Sequence, residues 1–238
     1  MQKITIIIPV FNEQKTIQKI LNQVNDVKLT GFKKEVVVVN DGSTDKTKEL
    51  LDISKKKMKS LIIIHKKNGG KGSAVISGMK KASGDYIVIQ DADLEYHPKL
   101  IPFLLTPIKE GKANVVYGSR LNRLPHLKKE ERSLLFLTHY IGNRILSLIT
   151  SILYFHWITD METCYKVFPR NAVKNMKLRA KGFEFEPEIT AKLLKKKYKI
   201  FEVNIRTNPR SYDEGKKLHT VRDGIKALAT LIKYRFID

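Results

Sequence analysis

The sequence predicts an α/β protein with a mostly parallel central sheet, and two observations carry the prediction. Five short, apolar, β-branched runs recur in the first half of the chain, at 4–10, 36–40, 61–65, 86–90 and 114–118. Between them lie stretches with helical spacing, at 16–29, 44–57, 73–82 and 98–108. Strand, helix and strand repeating every 25–30 residues or so mark βαβ units, because parallel neighbours need a crossover connection. Apolar runs without strict alternation are strands buried on both faces.

Each strand ends in polar residues, and ligands of such sheets bind beyond the carboxyl ends of the strands. The first run leads into Pro9-Val10-Phe11-Asn12-Glu13. The second closes at Asp41-Gly42-Ser43, where Gly42 allows a tight turn and Ser43 or Thr44 is placed to cap the next helix. An Asp at that edge can also accept from a base N–H or a ribose hydroxyl. The third is followed by Asn68-Gly69-Gly70-Lys71-Gly72-Ser73. This stretch departs from the P-loop pattern, having no first Gly and having Gly72 after the Lys. It is either a plain turn or a place where backbone N–H groups and Lys71 approach phosphate at a helix start. The fourth run enters Asp91-Ala92-Asp93 directly, and the fifth ends at Gly118-Ser119-Arg120, where an Arg suits phosphate.

The second half changes character. Over 134–155 apolar residues fall at 134, 137, 141, 145, 148, 152 and 155, opposite His139, Asn143, Ser147 and Ser151. That is a helix with a wide apolar stripe. It either packs on the core or lies on a membrane surface, which Arg144, Tyr154 and Trp157 would suit. Residues 220–236 repeat the pattern, with Val221, Ile225, Leu228, Ile232 and Phe236 on one face. No internal repeat, Gly/Ser linker or composition break divides the chain. The expectation is one domain over 1–238, with a ligand-binding half at 1–120 and a half carrying the amphipathic helices at 121–238.

With 42% hydrophobic residues in 238 the chain can build a core, which excludes wholesale disorder. The lone cysteine, Cys164, excludes an internal disulfide and a Cys-based zinc site. The N-terminal stretch has no leader pattern, and 145–155 is too short to span a bilayer, which takes about 20 residues. A soluble or peripherally attached intracellular protein is expected. The 45 Lys and Arg against 24 Asp and Glu leave a net charge of +21. Such a field attracts nucleotide phosphates, nucleic acid or an anionic membrane face, although a Lys-rich solvated surface gives the same excess.

Asp91 and Asp93 leave a core strand two residues apart, so both carboxylates can turn toward one divalent cation. Mg²⁺ or Mn²⁺ takes hard oxygen ligands and keeps positions open for phosphate. Glu95 could add a third oxygen, with His97 a weaker candidate. An Asp-x-Asp alone is often a solvated turn; its place at the end of a buried strand makes it a site candidate. Asp160 follows the amphipathic helix, Glu184, Glu186 and Glu188 share an aromatic setting at 183–188, and Arg206 with 210–217 forms a basic loop. Glu188 also suits the start of a helix through the dipole. The histidines show no metal-ligand spacing.

Together these residues resemble family 2 glycosyltransferases of the GT-A fold. The motifs are Ile-Pro-Val-Phe-Asn-Glu at 8–13, Val-Asn-Asp-Gly-Ser-Thr-Asp at 39–45, Asn-Gly-Gly-Lys-Gly at 68–72, Gln-Asp-Ala-Asp-Leu-Glu at 90–95 and Gly-Ser-Arg at 118–120. Through 159–167, 183–188 and 215–224 the chain is similar, more narrowly, to the polyprenyl-phosphate and dolichyl-phosphate hexosyltransferases. It departs from the mannose synthases of that group by carrying Glu95 where Gln is usual. The resemblance implies a GT-A nucleotide-diphospho-sugar transferase fold. It implies that Pro9, Phe11, Glu13 and Asp41 hold the nucleoside and that Lys71 lies near the diphosphate. Asp91, Asp93 and Glu95 would bind Mg²⁺ or Mn²⁺, with Asp91 also on the nucleotide sugar. Arg120, Arg206 and Lys216 would face the acceptor phosphate, and Asp160 would sit near the reacting centre with Asp93 and Arg120.

The implied reaction is inverting transfer of mannose or glucose from a GDP- or UDP-hexose to a polyprenyl phosphate, by a protein peripheral at the cytoplasmic face of an anionic membrane. A family 2 transferase acting on a soluble or polysaccharide acceptor is the alternative. A nucleic-acid-binding α/β protein is the remote one. It is disfavoured because the paired carboxylates at the sheet edge would repel phosphate without a metal, and no nucleic-acid motif is present, so no nucleic-acid partner is expected.

Overall fold

The computed structural model describes residues 1–58, 60–121, 134–208 and 220–237. Its centre is a seven-stranded sheet in the order β3-β2-β1-β4-β6-β5-β7. The first half supplies β1 (Gln2–Val10), β2 (Phe32–Asp41), β3 (Leu61–Lys66), β4 (Tyr86–Ile89) and β5 (Val115–Ser119), with α1 (Ile17–Asp26), α2 (Thr47–Lys57), α3 (Lys71–Lys81) and α4 (Ile101–Lys109) between them. β1 pairs in parallel with β2 and β4, and β2 with β3. The βαβ reading of the first half is borne out.

Several boundaries differ from the sequence reading, and those of β2 and α1 have clear physical reasons. β2 starts at Phe32 rather than at 36, because Lys33 and Lys34 pair through their backbones with Lys3 and Ile4 whatever their side chains. α1 stops at Asp26 rather than at 29. There the Lys34 ammonium donates to the carbonyls of Val24, Asn25 and Val27 at 2.6, 2.6 and 3.0 Å, a cation at the negative end of the helix.

The second half adds α5 (Leu134–Tyr154), β6 (Lys166–Pro169), α6 (Arg170–Val173), α7 (Phe185–Lys195), β7 (Ile200–Asn204) and α8 (Thr220–Phe236). Neither β6 nor β7 is marked in the sequence, and α7 is marked only by the helix-start reading of Glu188. β6 has four residues and begins with a lysine, and β7 is half-exposed with Glu202 at its middle, so neither shows a long apolar run. β6 lies antiparallel between β4 and β5, and β7 runs parallel to β5. The mostly parallel sheet, covered by helices on both faces, is the expected architecture.

β1 divides the core. Ile4, Ile6, Ile8 and Val10 face α1, α2 and α4, whereas Ile7 faces the layer containing α3, α5, α7 and α8. α5 turns toward the core a face other than the predicted apolar stripe. Leu146 enters the core with Leu153 and Tyr154 packed against it, and the Tyr154 hydroxyl donates to the Leu231 carbonyl at 2.7 Å. Ile141, Ile145, Leu148, Ile152 and Phe155 stay exposed, as do Trp157 and, on α8, Val221, Ile225, Ile232 and Phe236. Among the described residues no helix is long and apolar enough to cross a membrane.

Candidate active site

The carboxyl ends of β1, β2, β4 and β5 and the start of α3 gather the predicted residues along one sheet edge. At the end of β1 Asn12 adopts a left-handed φ of 53°. Its side-chain oxygen accepts from the Thr44 N–H at 2.8 Å, and its own N–H donates to the Ser43 hydroxyl at 3.0 Å. Glu13 is fastened by its N–H to the Thr47 hydroxyl at 2.9 Å. The segment with Pro9, Phe11 and Glu13 is thereby tied to the loop after β2. The capping expected of Ser43 or Thr44 falls instead to Asp45, whose carboxylate accepts from the Thr47 N–H at 2.9 Å. The helix starts three residues beyond Thr44, so the two hydroxyls reach across to β1.

Asp41 is buried and holds the glycine loop. Its oxygens accept from the Lys66 ammonium at 2.5 Å, from the Gly69 N–H at 3.0 and 3.1 Å, and from the Gly70 N–H at 2.7 Å. Gly70 has a φ of +89°, and a Cβ there would fall 2.4 Å from the Lys181 carbonyl oxygen, so only glycine fits. The tight fit brings α3 to begin at Lys71, two residues before the predicted start.

Lys71 stands at the centre of the site. Its ammonium lies 3.0 Å from each Asp91 oxygen, 3.0 Å from the Cys164 sulfur and 3.6 Å from Glu186 Oε1. Burial alone would lower its pKa, but Asp91 and the neighbouring acids raise it well above its usual value. Burial works against Asp91's charge too, and Lys71 overrides it, so the carboxyl sits below its usual range. Behind this pair Lys166, fully buried on β6, contacts Glu186 Oε2 at 2.6 Å and donates to the carbonyls of Met161 and Thr163. Leaving either member of such buried pairs alone costs about 3–5 kcal/mol.

Asp93 and Glu95 follow Asp91 in a turn held by Gln90, whose amide donates to the carbonyls of Asp91 and Tyr96 at 3.0 and 2.9 Å. The Asp93 carboxylate accepts from the Glu95 N–H at 3.0 Å. His97, the weaker candidate, caps the 3-10 turn Pro98–Leu100, its Nδ1 accepting from the Lys99 N–H at 3.1 Å. Among the described residues no three His, Cys, Asp or Glu side chains gather closely enough to enclose a metal. The side chains of Asp91, Asp93 and Glu95 offer oxygen donors alone. That set fits Mg²⁺ or Mn²⁺, which complete their shells with phosphate and water, and does not fit a caged ion.

On the far side of the turn Arg120, at the end of β5, meets Asp160. Asp160 Oδ2 accepts from the Arg120 N–H at 2.9 Å and from Nε at 2.7 Å, and Oδ1 accepts from an Nη at 2.8 Å. Asp160 is held in turn by Glu202. The Glu202 carboxylate accepts from the N–H of Thr159 at 3.0 and 2.8 Å, from its hydroxyl at 2.9 Å, and from the N–H of Asp160 at 3.0 Å. β5 and β7 are in register through Ser119 and Asn204, which sets the exposed Arg206 beside this edge. The Asn208 N–H closes on the Glu95 carbonyl at 3.0 Å. Lys216 lies outside the described residues.

Glu188, at the start of α7, accepts from the N–H groups of Arg179 and Ala180 and pairs with Lys192 at 2.8 Å. It is a helix-start residue, as one of its two readings had it. Lys166 and Glu202 are site residues that sequence reasoning missed. The available signal was a charge inside a short apolar run, Tyr165-Lys166-Val167-Phe168 in one case and Ile200-Phe201-Glu202-Val203 in the other.

The family described as Glycosyl transferase family 2 matches residues 5–176. A dolichol-phosphate mannosyltransferase of Pyrococcus furiosus is 30% identical over 239 residues, covering 98% of this chain and 64% of that protein. This chain therefore spans somewhat less than two thirds of that relative's length. A UDP-N-acetylglucosamine–dolichyl-phosphate N-acetylglucosaminyltransferase of Methanococcus voltae is 33% identical over 222 residues, covering 86% of this chain and 85% of that one. Among solved structures, glucosyl-3-phosphoglycerate synthase from Mycobacterium tuberculosis, in complex with Mn²⁺, UDP and glucosyl-3-phosphoglycerate, superposes with a TM-score of 0.72 at 20% identity. The match covers 100% of this chain and 81% of that one, and it shows a shared fold.

Proposed function

The chain belongs to glycosyl transferase family 2, and from that premise we propose that it carries out inverting, metal-dependent transfer of a hexosyl residue from a nucleotide sugar to a polyprenyl phosphate at a membrane surface. Its being a glycosyltransferase follows from the family; the donor, acceptor and place of action are the proposal. The observation that carries it is the ordering of charge along the sheet edge. Lys71 stands on one side of the Asp91–Asp93 turn, and Arg120 and Arg206 stand on the other. Two phosphate-bearing substrates would thus meet with a carboxylate turn between them. The names of the archaeal relatives support a lipid phosphate acceptor and differ in the sugar, mannose in one and N-acetylglucosamine in the other. A GDP- or UDP-hexose is the donor proposed here.

Asp91, Asp93 and Glu95 are the residues to hold Mg²⁺ or Mn²⁺, which when bound supplies Lewis-acid stabilisation of the departing diphosphate. Pro9, Phe11, Glu13 and Asp41 line the nucleoside end, and Lys71 brings a buried ammonium to the diphosphate. Arg120, Arg206 and Lys216 hold the acceptor phosphate. A phosphate monoester has a second pKa of about 6, so near pH 7 it is largely dianionic and needs orientation more than deprotonation. One of its oxygens attacks the anomeric carbon, the bond to the diphosphate oxygen breaks with its electron pair, and the anomeric configuration inverts. Both oxygens of Asp160 accept from Arg120, so Asp160 orients a cation and no protein base is required.

The exposed apolar residues of α5 and α8, flanked by Arg222, Lys226, Lys233 and Arg235, support peripheral attachment to an anionic surface, the cytoplasmic face on this proposal. The test is incubation with a panel of nucleotide sugars, polyprenyl phosphates and a soluble phosphate acceptor, followed by mass spectrometry of the products. A lipid phosphosugar is expected. Transfer to the soluble acceptor alone would replace this reading by the soluble-acceptor one.

A further inference from the structure

Three buried side-chain oxygens among the described residues have no hydrogen-bond partner, and two of them, Glu162 Oε1 and Glu186 Oε1, belong to this site. An acceptor shut off from both water and donors is rare in folded proteins and calls for an explanation. Glu186 Oε1 at least lies 3.6 Å from the Lys71 ammonium. Glu162 Oε1 has no such neighbour. The carboxyl sits on the 159–163 segment, two residues beyond Asp160 and four before Lys166. The charges acting on it come from Lys166, Glu186, Arg120 and Asp160. Along the chain it stands between Asp160, which binds Arg120, and Lys166, which binds Glu186, and on the proposed function the transferred group passes there from diphosphate to acceptor. Burial raises its pKa to about 7, with Lys166 and Arg120 opposing and Glu186 and Asp160 adding to the rise.

Its surroundings narrow the ligand. A metal ion or a second cation is disfavoured because Lys166 and Arg120 already supply positive charge on either side. A phosphate is disfavoured by the three carboxyls, Glu162, Glu186 and Asp160. A neutral group rich in O–H donors fits. We propose that Glu162 accepts a hydrogen bond from a hydroxyl of the hexosyl group of the donor, and so discriminates among sugars. This assignment rests on the nucleotide-sugar reading of the site and names one residue that reads the sugar rather than the nucleotide.

Calorimetric titration of the full chain in Mn²⁺ with UDP, GDP, UDP-glucose, UDP-N-acetylglucosamine and GDP-mannose tests it. The quantity to compare is the Kd of each nucleotide sugar divided by the Kd of its own diphosphate. Glu162→Ala is expected to raise that ratio about ten- to a hundredfold for the preferred sugar, the size of a hydrogen bond to a carboxylate, while leaving diphosphate affinity unchanged. Glu162→Gln, which keeps an acceptor oxygen at the same reach, is expected to restore most of the ratio. If Glu162→Ala loses the diphosphate too, Glu162→Asp, which withdraws the oxygens by one methylene, is expected to raise the ratio instead. An unchanged ratio in a variant that still binds diphosphate overturns the role of Glu162 and leaves the nucleotide-sugar reading standing. A wild-type chain that binds no nucleotide or nucleotide sugar overturns both.

Discussion

Asp93 and Asp160 are both carboxylates at the sheet edge, yet their surroundings assign them different work. Asp93 is one of the carboxyls proposed to hold the metal, so Asp93→Asn is expected to lower metal-dependent transfer to background while the thermal midpoint stays within about 2 °C. Product formation and a melting curve on one preparation check this. Normal turnover of that variant in Mg²⁺ or Mn²⁺ would remove Asp93 from the metal site. Asp160 already binds Arg120 through both oxygens. Asp160→Asn is therefore expected to be impaired about ten- to a hundredfold rather than inactive, through a less well-oriented guanidinium. The acidic limb of the pH–rate profile is expected to follow the acceptor's own phosphate pKa, near 6 for a simple monoester. An acceptor analogue with a more acidic phosphate should move that limb downward. A limb that stays fixed means a protein group takes the proton.

Glu202 shows how one element positions another. From β7 it holds the N–H groups of Thr159 and Asp160, and so aims Asp160 at Arg120, just beyond β5. Glu202→Gln replaces a four-bond acceptor with a group that also presents donors to those N–H groups. Such a variant is expected to lower turnover and raise KM for the acceptor while donor affinity is kept, a split that steady-state kinetics and calorimetry resolve. A second such tie sits at the opposite end of the sheet. Glu35, on β2, accepts from the Thr5 hydroxyl at 2.6 Å, the Ser83 hydroxyl at 2.6 Å and the Ser83 N–H at 2.8 Å, and pairs with Lys3 at 2.7 Å. Burial opposes its charge, but these partners lower its pKa to about 2 from an ordinary 4.5. A carboxyl depressed on folding stabilises the protein above its unfolded pKa and loses that contribution as pH falls toward the folded one. Melting temperature should therefore drop between about pH 4.5 and pH 2, and Glu35→Gln should lower it at pH 6 and flatten the drop.

At the scale of the molecule, the proposed membrane attachment draws on both the net charge of +21 and the exposed faces of α5 and α8. Vesicles containing anionic lipid are expected to retain the protein at low salt. They should release part of it as ionic strength approaches 1 M, where the screening length falls to about 3 Å. Leu148→Glu with Ile152→Glu is expected to abolish retention with little change in melting temperature, since both side chains are already exposed at 50% and 63%. Sedimentation with vesicles, set beside a melting curve, checks both. Equal retention of the double variant would mean that charge alone drives attachment.

The sequence by itself determined the βαβ half and the polar ends of its strands. A parallel strand buried on both faces must be apolar throughout, and its break into Asp41 or Asp91 is visible at once. It also marked the amphipathic helices, because a stripe at helical spacing shows in the chain whichever surface covers it. Only the tertiary structure decided how the second half completes the site. β6 and β7 are too short and too charged to show as strands, and their places between and beside β4 and β5 follow from packing. Long-range pairing likewise joined Lys71 to Asp91 and Arg120 to Asp160 across 20 and 40 residues of sequence. It made Asp41 the anchor of the glycine loop, and it left Glu162 as a buried acceptor without a donor. Local spacing records which face a residue takes, whereas partners distant in the chain are chosen by the three-dimensional fold.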